Sequence, residues 1–256
     1  MVRQKLCLSL LALSLAAPGL YAEPAPASTA QPVVNVVDPG SIQALKKMGA
    51  YLQTLHRFQA RTELSSETVL EDGQKLQQSS SAEIQVQRPN SLRALMWSAR
   101  AERELIYDGK TATLYTPALK YYATTEVPAT IGGMIDQLEV KYGVQVPLQD
   151  LFLWGTDAAP LDKIDSAMNA GQDFIGKDLC DHYAFRQGTI DWQIWITTGE
   201  APLPRKLVIT NRADEARPQS VSYMAWNLKP TFKDTIFKFT PPSDARAIGI
   251  RPLNSQ

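Results

Sequence analysis

Cys180 and His182 are the residues whose types and spacing come nearest to catalytic chemistry. They are two positions apart in a stretch with the pattern of a strand, so both side chains are expected on one face. A thiolate beside an imidazole can act as a nucleophile with its base. The sequence has no cysteine-protease signature and no recognisable third group to orient the imidazole. A structural cysteine and a hydrogen-bonded histidine are therefore the favoured interpretation.

Other catalytic and metal-binding patterns are missing from the sequence. It contains no G-x-S-x-G, no H-E-x-x-H, no P-loop and no dinucleotide fingerprint. A cysteine and a histidine two residues apart are poor metal ligands without further partners. Helix starts and solvated helix faces explain the acidic residues between positions 136 and 165. We predict no catalytic residue, no bound metal and no cofactor.

Apolar and aromatic residues form a larger pattern. In residues 190–196, Trp192 and Ile194 alternate with polar neighbours, as in a strand with one apolar face. Such residues usually belong to a core, but ligand pockets are also lined by apolar and aromatic side chains. An antiparallel sheet can gather the apolar positions of distant strands on one surface. The positions that we predict to form a ligand-binding surface are Phe58, Leu64, Ile84, Val86, Trp192 and Ile194.

The composition narrows the class of protein without selecting a function. Of the 256 residues, 44% are hydrophobic and 20% are charged, which is typical of a globular chain. The 26 Lys and Arg residues balance the 26 Asp and Glu residues, so the formal net charge is zero. We therefore expect no basic surface for nucleic acid.

The first 22 residues have the layout of a secretory signal. Arg3 and Lys5 precede an uncharged apolar run at residues 6–17, which is shorter than the ~20 residues of a membrane-spanning helix. We predict a signal peptide that is cleaved after residue 22, a periplasmic location and no transmembrane segment in the mature chain. Cleavage removes Cys7 and leaves Cys180 as the single thiol, without an internal disulfide.

The mature chain divides into three segments. Residues 23–37 are rich in Pro and Ala and predict a linker. Residues 38–240 contain no second linker and no internal repeat, which predicts a single folded domain. Residues 241–256 begin with two prolines and are predicted to be a tail.

The first half of the domain combines one helix with a series of strands. Asp38-Pro39 suits a helix start, because Asp is a good N-cap and Pro fits the first helical position. Residues 58–124 then alternate with a period of two. Asp72-Gly73 and Asp108-Gly109 are strong signals for hairpin turns within this region. The pattern predicts an antiparallel meander.

The second half begins with helices and returns to strands. We predict helices at residues 131–142, after Pro147, and at residues 157–168. Strands are predicted from residue 171 onwards, with the last at residues 236–239. The order helix, strands, helices, strands predicts an α+β fold in which a large antiparallel sheet carries its helices on one face.

These residues resemble a family of predicted periplasmic proteins of unassigned function, and the resemblance covers nearly all of residues 38–240. The segments that carry it are Asp38-Pro39 with Leu45, Met48 and Tyr51-Leu52; Asp72-Gly73-Gln74; Arg88-Pro89; Tyr107-Asp108-Gly109-Lys110; Pro147-Leu148-Gln149-Asp150-Leu151; Cys180-Asp181-His182; Asp191-Trp192-Gln193-Ile194-Trp195-Ile196; and Leu203-Pro204-Arg205-Lys206. The family is in turn distantly similar to the LolA/LolB/LppX lipoprotein-carrier superfamily. The resemblance implies an incomplete barrel, a curved antiparallel sheet with helices over its concave apolar face, and in the carriers this hollow takes up acyl chains.

The pattern and the resemblance together predict a non-enzymatic periplasmic carrier for a hydrophobic small molecule or lipid, such as an acyl chain or the lipid of a lipoprotein. The helices at residues 131–142 and 147–153 would cover the hollow. Two alternatives stay open. One is an envelope enzyme centred on Cys180 and His182, and the other is a non-catalytic module that binds another envelope protein.

Overall fold

Alternation of apolar and polar residues produces a single sheet of twelve strands. The structure, a computed structural model, describes residues 36–253. The predicted signal peptide at residues 1–22 therefore lies outside the described residues, as does most of the predicted linker. The strands are β1 (Arg57–Val69), β2 (Lys75–Gln87), β3 (Ser91–Trp97), β4 (Glu102–Tyr107), β5 (Thr111–Thr116), β6 (Tyr121–Glu126), β7 (Ser166–Ile175), β8 (Asp178–Gln187), β9 (Ile190–Thr197), β10 (Pro204–Asn211), β11 (Gln219–Asn227) and β12 (Arg246–Ala247).

The strands follow the order β12-β6-β5-β4-β3-β2-β1-β11-β10-β9-β8-β7. Within this sheet, the pairing of β12 with β6 is parallel and the other pairings are antiparallel. The two long strands β1 and β2 lie near the middle, and β1 joins the N-terminal strands to β11. Because β7 and β12 lie at opposite ends of the order, the sheet is not closed into a barrel. The predicted α+β class with an incomplete barrel is confirmed.

The described residues form two α-helices, α1 (Pro39–Thr54) and α2 (Ile131–Tyr142). Asp38 caps α1, since its carboxylate accepts a hydrogen bond of 2.8 Å from the backbone N–H of Ser41. Thr130 caps α2, which ends at Gly143 in the left-handed conformation. Both helices therefore begin where the sequence predicts, and α2 also ends at the predicted residue. Four short 3₁₀ helices complete the secondary structure: Pro117–Leu119, Gln149–Phe152, Leu161–Lys163 and Asp234–Phe237.

Two Asp-Gly pairs form the predicted turns. Gly73 has φ 84° between β1 and β2, and Gly109 has φ 92° between β4 and β5. A side chain strains such backbone, so glycine is favoured at both positions. Asp108 fixes the second turn, because its Oδ1 accepts hydrogen bonds from the backbone N–H groups of Lys110 (2.9 Å) and Thr111 (2.7 Å).

The structure differs from the prediction in three segments. The helix predicted at residues 157–168 is wrong, because the helical part is the single turn Leu161–Lys163 and β7 begins at Ser166. Pro160 stands directly before that turn, and no helical hydrogen-bond pattern continues beyond it. The strand predicted at residues 236–239 is also wrong, since Asp234–Phe237 is a 3₁₀ helix. In the predicted tail, Arg246–Ala247 is a strand paired with β6.

The main hydrophobic core lies between one face of the sheet and the helices. Leu45 and Met48 of α1 and Met134 of α2 are completely buried, and they pack with the apolar residues of that sheet face. We call this the inner face of the sheet. A second and smaller apolar cluster lies on the outer face, where Cys180 packs with Trp195 and Val208. The described residues fall within one compact unit, residues 35–256.

Candidate functional site

A cavity of about 670 Å³ lies between the inner face of β9, β10 and β11 and the chain segment 148–165. The sheet supplies one wall and the short 3₁₀ helix Gln149–Phe152 with its neighbours supplies the other. Most of the side chains around it are apolar. The lining residues are Leu148, Asp150, Leu151, Leu153, Trp154, Pro160, Lys163, Asp165, Gln187, Gly188, Thr189, Ile190, Trp192, Ile194, Pro204, Leu207, Ile209 and Met224.

Strand register assembles the sheet wall of this cavity. In the β9–β10 pair, Ile194 is opposite Leu207 and Trp192 is opposite Ile209. Residues that face each other across antiparallel strands project to the same side, so these four side chains form one surface. Met224 of β11 extends the surface by one more strand. The wall is therefore built from three consecutive strands whose register brings these side chains together.

The opposite side of the cavity contains the aromatic ring of Trp154. Its ring centroid lies 5.7 Å from that of Trp192, which in turn stacks on Phe185 at 4.2 Å. Such ring contacts hold the two walls in a defined geometry. The indole Nε1 of Trp192 is buried and has no hydrogen-bond partner among the described residues.

The polar side chains around the cavity lie at its mouth. Lys163 and Asp165 are exposed, whereas Trp192 and Ile194 are buried. Asp150 also borders the cavity, and burial, with a smaller effect of Glu139, raises the pKa of its carboxyl. Gly188 and Thr189 of the β8–β9 turn are also exposed and border the same opening. A ligand would thus pass a polar entrance before it reached an apolar interior, the arrangement expected of a small-molecule pocket.

The six predicted site residues occupy three kinds of position. Trp192 and Ile194 line the cavity. Phe58, Ile84 and Val86 are buried in the main core. Leu64 lies on the inner face of β1 and is partly buried. The sequence interpretation missed Leu207, Ile209 and Met224, although the alternation of residues 206–210 contained a signal for the first two.

Cys180 and His182 lie on the outer face, away from this cavity. The Cys180 side chain is completely buried, its Sγ lies 3.6 Å from the backbone oxygen of Asp178, and burial raises the pKa of its thiol. His182 Nε2 is 3.0 Å from Gln193 Oε1, and its Nδ1 is 3.7 Å from Asp173 Oδ2. A raised pKa reduces the thiolate fraction, and both ring nitrogens face groups other than the thiol.

A family model described as "Predicted periplasmic protein (DUF2092)" matches residues 41–251, most of the chain. The chain belongs to this family. The resemblance to a family of predicted periplasmic proteins is thereby confirmed. Among curated proteins, none matches the DUF2092 chain.

Several solved structures are similar to this DUF2092 protein at low sequence identity. An uncharacterised conserved protein from Thermus thermophilus is 10% identical, with a TM-score of 0.48, over 82% of this chain and 99% of that one. LprF from Mycobacterium bovis is 13% identical, with a TM-score of 0.45, over the same 82% and 99%. The lipoprotein LppX from Mycobacterium tuberculosis is 9% identical, with a TM-score of 0.46, over 76% and 98%.

The DUF2092 chain has a second cavity, of about 810 Å³, between the end of α1 and the start of α2. Arg88 is its principal charged side chain. The guanidinium lies 5.7 Å from the Phe152 ring centroid, and its buried Nε has no hydrogen-bond partner among the described residues. Burial lowers the pKa of Arg88. Leu153 borders both cavities, so the segment 149–156 separates them.

Within the part of the chain that the structure describes, no helix has the length and apolar character needed to span a membrane.

Proposed function

We propose that this DUF2092 protein is a non-enzymatic periplasmic carrier that holds an apolar ligand, such as an acyl chain, in the cavity beside β9 and β10. The observation that carries the proposal is the cavity itself. Its volume of about 670 Å³ falls within the range of small-molecule pockets, and its interior is formed by apolar and aromatic side chains.

The driving force for uptake would be removal of the ligand from water. Each buried CH₂ group contributes roughly 0.8 kcal/mol, so a chain of several carbons suffices for measurable affinity. No covalent step and no cofactor is needed. The exposed polar residues at the mouth remain in water, while Trp192, Ile194 and Met224 contact the ligand.

The family description and the N-terminal sequence support the location. The family model is that of a predicted periplasmic protein. The basic start and short apolar run of residues 1–22 have the pattern of a cleavable export signal. A carrier that works in the periplasm would need such an export signal.

Paired alanine variants at two isoleucines test the proposal. Ile194 and Ile84 are both buried members of the main core on the inner face, but Ile194 also lines the cavity and Ile84 does not. We expect Ile194→Ala to weaken binding of a fluorescent fatty acid and to lose less unfolding free energy than Ile84→Ala, because one side of Ile194 already faces a cavity. Ile84→Ala is expected to cost about 2–5 kcal/mol of stability and to leave the affinity of the folded protein unchanged.

The binding titration also contains the outcome that would refute the proposal. If the wild-type protein binds no fatty acid, and Ile194→Ala loses as much stability as Ile84→Ala, the space at β9 is ordinary core and not a ligand site. Mass spectrometry of organic extracts from protein purified from its native periplasm would identify a natural ligand. We expect such extracts to contain an apolar molecule that extracts of Trp192→Asp protein lack.

A further inference from the structure

The sheet wall of the cavity continues across the neighbouring strands into a surface of serine residues. Leu207 and Ile209 of β10 lie opposite Ser222 and Ser220 of β11. These serines lie opposite Leu64 and Ser66 of β1, which in turn face Ser80 and Gln78 of β2. We call Ser66, Ser80, Ser220 and Ser222 the serine floor. Because opposite residues on neighbouring strands are ~5 Å apart, this surface begins directly beside the cavity.

The hydroxyl groups of the serine floor are free to bind a ligand. Each of the four serines is partly buried. None of their side chains forms a hydrogen bond with another described residue. A hydroxyl group is both a donor and an acceptor, so four of them side by side suit a partner that has several polar atoms.

Two polar atoms close to this surface are buried without partners among the described residues. Thr62 lies on the inner face between Met224 and Ala82, is 4% exposed, and has an unpaired Oγ1. Trp192, which is 5% exposed and opposite Ile209, has an unpaired Nε1. A buried polar group without a partner costs stability, and a ligand that supplies the missing hydrogen bond removes that cost.

The same surface contains no charge. The inner-face residues of β1, β2, β10 and β11 around the serine floor are Thr62, Leu64, Ser66, Gln78, Ser80, Ala82, Leu207, Ile209, Ser220, Ser222 and Met224. Among these inner-face residues an anionic head group would lose water without gaining a counter-ion, and a cationic one would meet no carboxylate; the charged side chains that line the cavity belong to the segment 148–165. The surface therefore favours groups that form hydrogen bonds and have no charge.

We infer that the ligand is an amphiphile whose apolar chain fills the cavity and whose uncharged head group forms hydrogen bonds with the serine floor. This inference rests on the proposed carrier function and adds the chemical class of the head group. Hydroxyl, ester and amide groups satisfy it. A free carboxylate, a phosphate and an ammonium group do not.

Three probes with one chain length separate the head group from the chain. We would titrate the full mature protein by calorimetry with 1-monolauroylglycerol, methyl laurate and laurate. The first has an ester and two hydroxyl groups, the second has the ester alone, and the third has a charge. The wild-type protein is expected to bind monolauroylglycerol at least about fivefold more tightly than methyl laurate, as one net hydrogen bond would give. Laurate is expected to bind more weakly than monolauroylglycerol.

Serine variants provide a matched control. Ser220→Ala/Ser222→Ala removes the two hydroxyls next to the cavity, and it should lower the affinity for monolauroylglycerol about fivefold, with a smaller loss for methyl laurate, whose head group is the ester alone. Ser65→Ala/Ser79→Ala removes two hydroxyls from the outer face of β1 and β2, where the two residues are opposite each other. This control should leave both affinities unchanged. Thermal unfolding of each variant would verify that it is folded.

The outcomes distinguish this inference from the proposed function. If the wild-type protein binds monolauroylglycerol and methyl laurate equally, or binds laurate most tightly, the head-group inference is overturned and the carrier function stands. Equal losses in the inner-face and outer-face variants would overturn it as well. If none of the three probes binds, the carrier function itself fails.

Discussion

The imidazole of His182 stacks on the indole of Trp195, with ring centroids 4.0 Å apart and planes 10° from parallel. Trp195 Nε1 also donates a hydrogen bond of 2.8 Å to Asp173 Oδ2. The two rings lie on the outer face of the sheet, and the preceding residue along β9, Ile194, points to the cavity on the inner face. His182, which the sequence analysis considered as a catalytic base, is thus held by an aromatic and hydrogen-bonded cluster.

The buried thiol of Cys180 on this outer face should react slowly with thiol reagents. Because burial raises the pKa of Cys180, we expect the folded protein to react slowly with a thiol reagent at about pH 8 and to react quickly once unfolded in urea. Cys180→Ala should retain ligand binding with a modest loss of stability. A folded Cys180→Ala protein that lost a measured activity completely would favour the enzyme hypothesis.

A close contact between two glycines should control the helical side of the cavity. A Cβ at Gly49 would lie 2.4 Å from the backbone nitrogen of Gly155, next to Trp154. We expect Gly49→Ala to cost about 1–3 kcal/mol of unfolding free energy, because backbone must move. The displaced Trp154 should also weaken ligand binding.

Gly132→Ala is the matched control for that variant. Gly132 also lies in an α-helix, and a Cβ there would meet no heavy atom within 4 Å. Alanine in an open helical position stabilises by up to about 1 kcal/mol. Chemical denaturation of both variants measures the difference, and equal effects would show that Gly49 tolerates a side chain.

Tyr107 should make stability depend on pH in the alkaline range. Burial, with a smaller effect of the Asp108 carboxylate, raises the pKa of Tyr107 to about 12, and its hydroxyl donates a 2.7 Å hydrogen bond to the backbone oxygen of Pro128. The folded state keeps this proton above about pH 10 while the unfolded state loses it. The stabilisation is therefore complete below about pH 10 and decreases as the pH rises towards about 12.

Urea unfolding at about pH 8, 10 and 11 checks this dependence. The wild-type protein should lose more stability than Tyr107→Phe between the two higher pH values, because the variant has no group to titrate at this position. The expected excess is on the order of 1 kcal/mol. Parallel pH profiles for the two proteins would contradict the assignment to Tyr107.

Export can be tested directly on the expressed chain. We expect N-terminal sequencing of the periplasmic fraction to start near Glu23, after removal of the basic start and the apolar run. Protein that keeps Met1 and stays in the membrane fraction would contradict this prediction.

Local patterns were sufficient to predict most of the fold. The Asp-Gly turns, the capped start of α1 and the alternation in β9 are each decided by residues close together in the sequence. The error at residues 157–168 has a local cause as well, since the apolar spacing near Leu161 resembles that of a helix. The residues that pair with β7 belong to β8 and lie outside residues 157–168.

The cavity could be predicted only in part, because the segment 148–165 that faces β9, β10 and β11 is separated from them in the sequence by β7 and β8. Alternation placed Trp192 and Ile194 on the correct face, but it contained no information on which segment packs over β9. Phe58 has the same type of pattern and belongs to the same core, but it contacts Phe152 and Trp226 and does not line the cavity. Register and the position of the segment 148–165 decide between wall and core.

The two walls of the cavity differ in how they resist deformation. On one side, every strand from β8 to β11 has hydrogen-bonded neighbours along both edges. On the other, the described residues 148–165 contain single-turn helices, Gln149–Phe152 and Leu161–Lys163, whose backbone hydrogen bonds span only three or four residues. Amide hydrogen exchange should accordingly be fast in this segment and slow in the strands. The cavity then expands from one side alone, and a ligand can enter without breaking any hydrogen bond between strands.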